Sequence, residues 1–211
     1  MLLSIDTSAG TSVAVVDRDR GVLSERGESD TMRHAEVVGR LIQECLTEAD
    51  VAVSALSGVV GGMGPGPFTG LRVGIAAARV FALGAGKTLV PVISHDAIAY
   101  GHYQAGHVGP LLVVTDARRR EVYWSTYTGA DSVGLPVRAE APGLAKPTEL
   151  DVPGWAYAGW PRRDAVVVSA GDLGMVAELR FAHGRVSAAN APLYLRSPDV
   201  TVSNGPKRVS R

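Results

Sequence analysis

The chain has 211 residues, 46% hydrophobic and 20% charged, a composition that excludes a disordered polymer and fits a globular protein with a real core. Lys plus Arg and Asp plus Glu both number 21, so the net charge is zero and no global basic field exists with which to grip nucleic acid alone. One Cys and five His exclude a disulfide framework and any zinc site built on several cysteines. The lone thiol suits a reducing compartment, read here as the cytoplasm. No apolar run reaches the ~20 residues of a membrane span, and the opening residues lack the basic start of a signal peptide.

In chain order, residues 2–6 and 12–17 read as strands around a short turn, with 21–27 as a third. Asp30 or Thr31 is placed to cap a helix running to about residue 49, where Val38, Leu41, Ile42, Cys45, Leu46 and Ala49 form an amphipathic stripe. Residues 56–62 read as a short buried strand. The Gly/Pro loop 62–70 follows, then a second helix to about 83 and a strand at 89–93. Ser94 is placed to cap a third helix over 95–104. The first hundred residues thus read β-β-β-α-β-α-β-α, an α/β pattern.

The second half opens as the first does. Residues 111–115 run into Asp116, a charged turn and the alternating strand 121–128, as 2–5 run into Asp6, a turn and 12–16. Segment 129–154 carries four Gly and four Pro without periodicity and reads as loop or loose insertion. A strand over 165–169 and a helix over 172–183 follow. From 197 the tail is polar and expected to fray.

The most informative stretch for chemistry is loop 62–70, with four glycines between a strand and a helix. Such a loop can hold an anion through backbone N–H groups and the helix dipole. It lacks the Lys-Ser/Thr ending of a P-loop, and Pro67 breaks G-x-G-x-x-G. The favoured reading is a rigid turn that packs strand on helix. The second helix carries small residues at Gly70, Gly74, Ala78 and Ala82 and is apolar nearly all round, so either a partner chain or its own core must cover it. His102 and His107 are five apart and no His pair has metal spacing, so neither a metal nor a cofactor is expected. Asp6 and Asp116 each end an apolar strand beside a turn, where a carboxylate can hold hydrated Mg²⁺ or simply cap the turn. The turn Arg118, Arg119 and Arg120 reads as solvated, with local contact to RNA or another anion open.

Leu3-Ser-Ile-Asp-Thr-Ser8, Gly64-Pro-Gly-Pro-Phe-Thr-Gly-Leu-Arg-Val-Gly-Ile75, Asp116-Ala-Arg-Arg-Arg-Glu-Val-Tyr-Trp124 and Pro192-Leu-Tyr-Leu-Arg196 together resemble the bacterial TsaB (YeaZ) family, in order across nearly the whole chain. The resemblance implies an actin-like ATPase (ASKHA) fold of two ribonuclease H-like lobes, here with boundaries at 1–106 and 107–196, an abbreviated second lobe and a tail at 197–211. It implies a subunit of the machinery that adds threonylcarbamoyl to N6 of the adenosine beside the anticodon in tRNAs reading ANN codons. The implied partners are a catalytic TsaD-type paralogue and, through the complex, a TsaE-type ATPase. tRNA would be met only within that complex, no membrane is involved, and the chain alone would be a homodimer. The subunit itself would be a scaffold and not an enzyme.

Two kinds of site follow. Asp6, Thr7, Ser8, Gly64, Gly66 and Asp116 are where a nucleotide-site remnant would lie, and Pro67 departs from the Ser usual in the family. The partner surface is expected on the first two helices, at Met32, Val38, Leu41, Ile42, Leu71, Gly74, Ile75 and Ala78. The rival readings are a small actin-fold ATPase or kinase built on the Asp6 hairpin and loop 64–70, and a tRNA-binding module built on the three arginines and the basic tail.

Overall fold

The computed structural model describes residues 1–196, so the expected fraying from 197 lies outside the described residues. Strands β1 (Leu2–Asp6), β2 (Thr11–Asp17) and β3 (Gly21–Glu28) form an antiparallel meander. Helix α1 (His34–Glu48) leads to β4 (Gly58–Gly62), parallel to β1. Helix α2 (Phe68–Ala85) leads in turn to β5 (Thr88–Val92), parallel to β4. The first sheet is therefore ordered β3-β2-β1-β4-β5. Helix α3 (Ser94–Gln104) carries the chain to a second sheet. Its strands are β6 (Leu111–Asp116), β7 (Val122–Ala130), β8 (Pro136–Arg138), β9 (Gly143–Ala145) and β10 (Arg162–Ala165), ordered β10-β6-β7-β8 with β9 also on β7. Helix α4 (Ala170–Ala182) ends the regular structure among the described residues.

The echo between the halves is structural. β6 and β7 pair antiparallel and β10 lies parallel to β6, as β1 pairs with β2 and runs parallel to β4. Each sheet is thus one ribonuclease H-like unit.

Strand β1 shows why apolar residues fall on both of its faces. Leu3 and Ile5 join Val13 and Val15 under α1 and α2, while Leu2 joins Ala14, Val16 and Val60 on the opposite face. A strand covered on both sides needs apolar residues on both faces, and a buried polar one such as Ser4 needs a partner. Each such Leu or Ile contributes ~1.5–3 kcal/mol when removed from water. The covering of the second face comes from α3 and from α4, whose Ala170 carbonyl accepts the Ser4 hydroxyl. That same core takes Leu111, Val113 and Tyr127 from the second sheet, so one hydrophobic body spans both sheets.

Helix α2 is 18 residues long and, by length and composition alone, apolar enough to cross a membrane. Its apolarity has a local cause, because Gly70, Leu71, Gly74, Ile75, Ala78 and Ala82 are buried within the fold. The outer face of the second sheet is covered differently. Leu112, Val114 and Leu150 are packed by Trp124 of β7 and by Trp155 and Trp160, whose indole rings from the coil before β10 stand where a helix would lie.

Several sequence expectations shift. Helix α1 starts at His34, and Asp30 instead accepts the Met32 amide at 2.9 Å. Ser94 lies inside α3 behind an Ile93 cap, its hydroxyl committed elsewhere. The aperiodic 129–154 stretch contains β8 and β9, strands too short for periodicity to register. The strand expected at 165–169 is β10, displaced to charged residues 162–165 at a sheet edge.

Candidate functional site

Asp6 ends β1 and is sealed inside the fold. One carboxylate oxygen, Oδ1, accepts the Ser8 backbone N–H at 2.7 Å and the Ser8 hydroxyl at 2.5 Å, while Oδ2 accepts the Ser94 hydroxyl at 2.5 Å. Ser94 Oγ in turn accepts the Gly64 amide at 3.0 Å. A Cβ at Gly62 would overlap Asp6 Oδ2, so only glycine lets β4 pass this carboxylate. Burial pushes the Asp6 carboxyl above its ordinary range against the pull of these hydrogen bonds. Both oxygens are occupied, and the group is 1% exposed.

Thr7 and the Gly/Pro loop do structural work as well. The Thr7 hydroxyl donates to the Gly70 carbonyl at 2.7 Å and accepts the Gly74 amide at 3.0 Å, pinning the first turns of α2 to the β1–β2 turn. Gly66 packs so closely on Ser8 that a Cβ there would lie 2.8 Å from Ser8 Cα. The Gly64 amide is spent on Ser94, which leaves it unable to cradle a phosphate. Of the six expected remnant residues, five thus form one packed knot. The sixth, Asp116, is exposed and lines a hollow with Ser8, at the edge of that knot.

What remains open is a cleft between the sheets. Two adjoining hollows of about 300 and 250 Å³ share Ser8, Thr31, Pro67 and Arg118. Arg118 crosses this cleft, donating to the Thr31 hydroxyl and pairing with Asp116 at 3.5 Å. His34 lines the larger hollow, with Nδ1 at 2.7 Å from the Thr11 hydroxyl, and burial holds its pKa below the ordinary imidazole value. Among the described residues no three His, Cys, Asp or Glu groups are placed to hold a metal ion. The cleft presents the Arg118 guanidinium together with its Asp116 partner, and the Ser8 and Thr31 hydroxyls already have partners of their own.

The turn at Arg118, Arg119 and Arg120 is more constrained than the solvated turn expected. All three have left-handed backbones, with φ of 62°, 54° and 63°, a conformation costing ~1–2 kcal/mol for each non-glycine residue. Arg196 holds it, donating to the Ala117 carbonyl at 2.9 Å and the Arg118 carbonyl at 3.4 Å while pairing with Glu121.

The expected partner surface needs correction. Val38, Leu41, Ile42 and Ala78 belong to the core beneath the first sheet, and Leu71 and Ile75 to a core with Met63 and Ile93. A Cβ at Gly74 would overlap Thr7 Oγ1, so the small-residue stripe faces its own hairpin and not a second chain. Of the eight residues only Met32, 86% exposed, lies on the surface. The exposed apolar face of α2 is instead marked by Val80 and Leu83, 70% and 83% exposed.

A family model described as TsaD: tRNA N6-adenosine threonylcarbamoyltransferase matches residues 21–153, more than half of the chain. An uncharacterized protein of Mycobacterium tuberculosis is 38% identical over 211 residues, covering 94% of this chain and 92% of the other. The Escherichia coli tRNA threonylcarbamoyladenosine biosynthesis protein TsaB is 28% identical, covering 93% and 94%. The solved structure of YeaZ from Pseudomonas aeruginosa superposes with a TM-score of 0.76 at 27% identity, over 92% of this chain and 99% of that one. The chain belongs to the threonylcarbamoyltransferase family, on its TsaB (YeaZ) branch. Its two sheets are the lobes of the actin-like ATPase fold, the second abbreviated.

Three features of this TsaB-family chain escape sequence reasoning. His95 is fully buried between Ser125 at 2.7 Å and Thr115 at 2.9 Å, joining α3 to the second sheet, and burial lowers its pKa to about 3. Asp96 beside it accepts Tyr127 at 2.8 Å, Arg138 at 2.6 Å and Arg180 at 2.7 Å, tying α3 to β7, β8 and α4. Leu193 donates its amide to the Met63 carbonyl at 2.8 Å, and the Tyr194 ring lies 4.8 Å from Phe68, so the last family motif seals loop 62–70. A His-Asp dipeptide at a helix start was the only available signal for the first two, and its partners lie far away in sequence.

Proposed function

We propose that the chain is a non-catalytic subunit of tRNA threonylcarbamoylation. It assembles with and activates a TsaD-type catalytic paralogue that modifies N6 of the adenosine beside the anticodon in tRNAs reading ANN codons. The family membership and the named role of the Escherichia coli relative support the pathway. The observation that carries the non-catalytic role is Asp6: both oxygens of the acid at the hairpin are held by Ser8 and Ser94, and Gly62 packs against it. A carboxylate buried and committed in this way must give up partners to meet a hydrated cation, which disfavours the ATPase reading.

The partner surface in this reading is the exposed face of α2 at Val80 and Leu83, with Met32 before α1. Side chains of this size left in water favour a second chain, either the TsaD-type subunit or a copy of this one. A TsaE-type ATPase and tRNA join only through that assembly, in the cytoplasm. The test is co-elution with the TsaD-type paralogue from the same source, using wild type and a Val80→Asp, Leu83→Asp double variant. Surface changes of this kind move stability by ~0.5 kcal/mol or less, yet a charge in an apolar contact costs ~2 kcal/mol or more of binding. Wild type should co-elute and the double variant, equally well folded, should not. Equal co-elution would move the interface elsewhere, and magnesium-dependent ATP turnover by the chain alone would replace the reading with the ATPase one.

A further inference from the structure

A second hollow, of about 290 Å³, lies apart from the cleft at Arg118, between the end of α3, strand β10 and the start of α4. Its polar lining is His102, His107, Arg163, Ser169 and Asp172. Nothing in the proposed scaffold role uses it.

The sequence spacing hides how this hollow is built. Helix α3 ends at Gln104, and Gly106, with φ of 91°, turns the chain back so that the His107 ring stacks on His102. The ring centroids are 4.2 Å apart and the planes 11° from parallel. Face-to-face imidazoles repel once both are protonated, so the pair needs an external negative charge in its cationic form. Arg163 comes from β10. Its neighbour Arg162 is paired with Asp164 at 2.7 Å, whereas Arg163 has no ion pair among the described residues. Successive strand residues point to opposite faces, which separates the two guanidinium groups. Asp172 enters from α4 over Gly101, where a Cβ would overlap its carboxylate.

We propose that this hollow binds a phosphate group, held by the Arg163 guanidinium and the His102 and His107 imidazoles. A planar guanidinium suits phosphate oxygens, and imidazoles add charge-assisted donors when protonated. The volume is at the lower end for ligand sites, fitting one phosphoryl group with a small substituent and not a whole nucleotide. A metal ion is the poorer fit, because the free guanidinium repels it. The source is either free phosphate or the backbone of an RNA.

Protonation tunes the site. His102 is held below the ordinary imidazole value by burial, by His107 and by Arg163. Burial and Glu25 on β3 push Asp172 up to about 6, against a hydrogen bond from Ser169. Tyr100 on α3 also faces Asp172, and its own pKa is raised by burial and by that carboxyl. As pH falls through about 6 the Asp172 carboxylate is lost, and below the ordinary imidazole value His102 gains charge, so both changes favour an anion.

The test is a titration of the full chain followed through the imidazole carbon-bound proton resonances of His102 and His107. The probes are inorganic phosphate, sulfate, a short single-stranded RNA and Zn²⁺. Sulfate keeps its charge across the range and isolates the protein's own titration. Phosphate and sulfate should shift both resonances saturably, at least ~10-fold more tightly at pH about 5.5 than at pH about 8. Arg163→Gln, an exposed change, should weaken binding ~10-fold or more while leaving the melting temperature unaltered. Saturation by RNA with only weak response to inorganic phosphate assigns the site to a phosphodiester. Saturation by free phosphate and not by RNA assigns it to a small phosphorylated ligand. Absence of any saturable shift by phosphate, sulfate or RNA would overturn the proposal, as would Zn²⁺ binding alone or anion binding indifferent to Arg163→Gln.

Discussion

Thr7 bridges Gly70 and Gly74, donating its hydroxyl to the first residue's carbonyl and accepting the second residue's amide, the pair that an α-helix joins directly. Helix α2 is therefore fastened to the β1–β2 turn at the point where its stripe of small residues faces inward. Gly74→Ala places a methyl group against Thr7 Oγ1. Overpacking of this kind costs ~1–3 kcal/mol, a fall of ~2–10 °C in melting temperature for a chain of this size. The check is thermal unfolding at fixed protein concentration alongside light scattering. A variant that melts with wild type but loses self-association would return the stripe to an interface.

Asp96 ties α3 and α4 to the second sheet. Replacing it with Asn leaves the largely buried Arg138 and Arg180 without their shared carboxylate, and changes the acceptor of the Tyr127 hydroxyl. Breaking a buried charge pair by removing one partner costs ~3–5 kcal/mol. Denaturant unfolding should register that loss. Because one core spans both sheets, the transition should remain single. A loss below ~1 kcal/mol would show that solvent already screens the arginines.

His95 sets a pH dependence of definite sign. Its folded-state pKa, about 3, lies below the unfolded value of 6.5, so only the unfolded chain takes up a proton between them. Stability contributed by the neutral ring is complete above pH 6.5 and is lost as pH falls toward 3. At pH about 5 the loss amounts to ~2 kcal/mol. His95→Gln keeps hydrogen-bonding capacity without titrating, so its stability should flatten across this window relative to wild type. Parallel pH profiles for the two proteins would contradict the assignment.

The left-handed turn at 118–120 depends on Arg196, which reaches it from 78 residues away for Arg118. Arg196→Ala removes the clamp on the Ala117 and Arg118 carbonyls and leaves Glu121 without this partner. Amide exchange at Arg118 to Glu121 should accelerate while the strands β6 and β7 stay protected. Unchanged exchange would mean that the turn is held by its own hairpin.

Much of the fold was legible because its elements carry their own periodicity. The β1–β2–β3 meander, α1, α2 and the matching openings at Asp6 and Asp116 follow from local pattern. What failed were features decided by distant partners. Ser94 reads as a helix cap, but its hydroxyl goes to Asp6, 88 residues away. Gly74 and Ala78 read equally well as a surface seam or a core seam, and only the position of Thr7 separates these. β10 carries Arg162 and Arg163 at a sheet edge, where charge is tolerated and no apolar signal appears. His102 and His107 miss metal spacing, yet one glycine turn stacks them.

The central claim is that this chain supports threonylcarbamoyl transfer without performing it. The most direct measurement is reconstituted transfer to tRNA from threonylcarbamoyl-adenylate by the TsaD-type paralogue, with and without this chain, and with its Asp6→Asn variant after folding is verified. The account predicts no transfer by the chain alone, strong stimulation of the paralogue by wild type, and retained stimulation by Asp6→Asn in proportion to the complex formed. Transfer by the chain alone, or a fully assembled Asp6→Asn complex without activity, would contradict it.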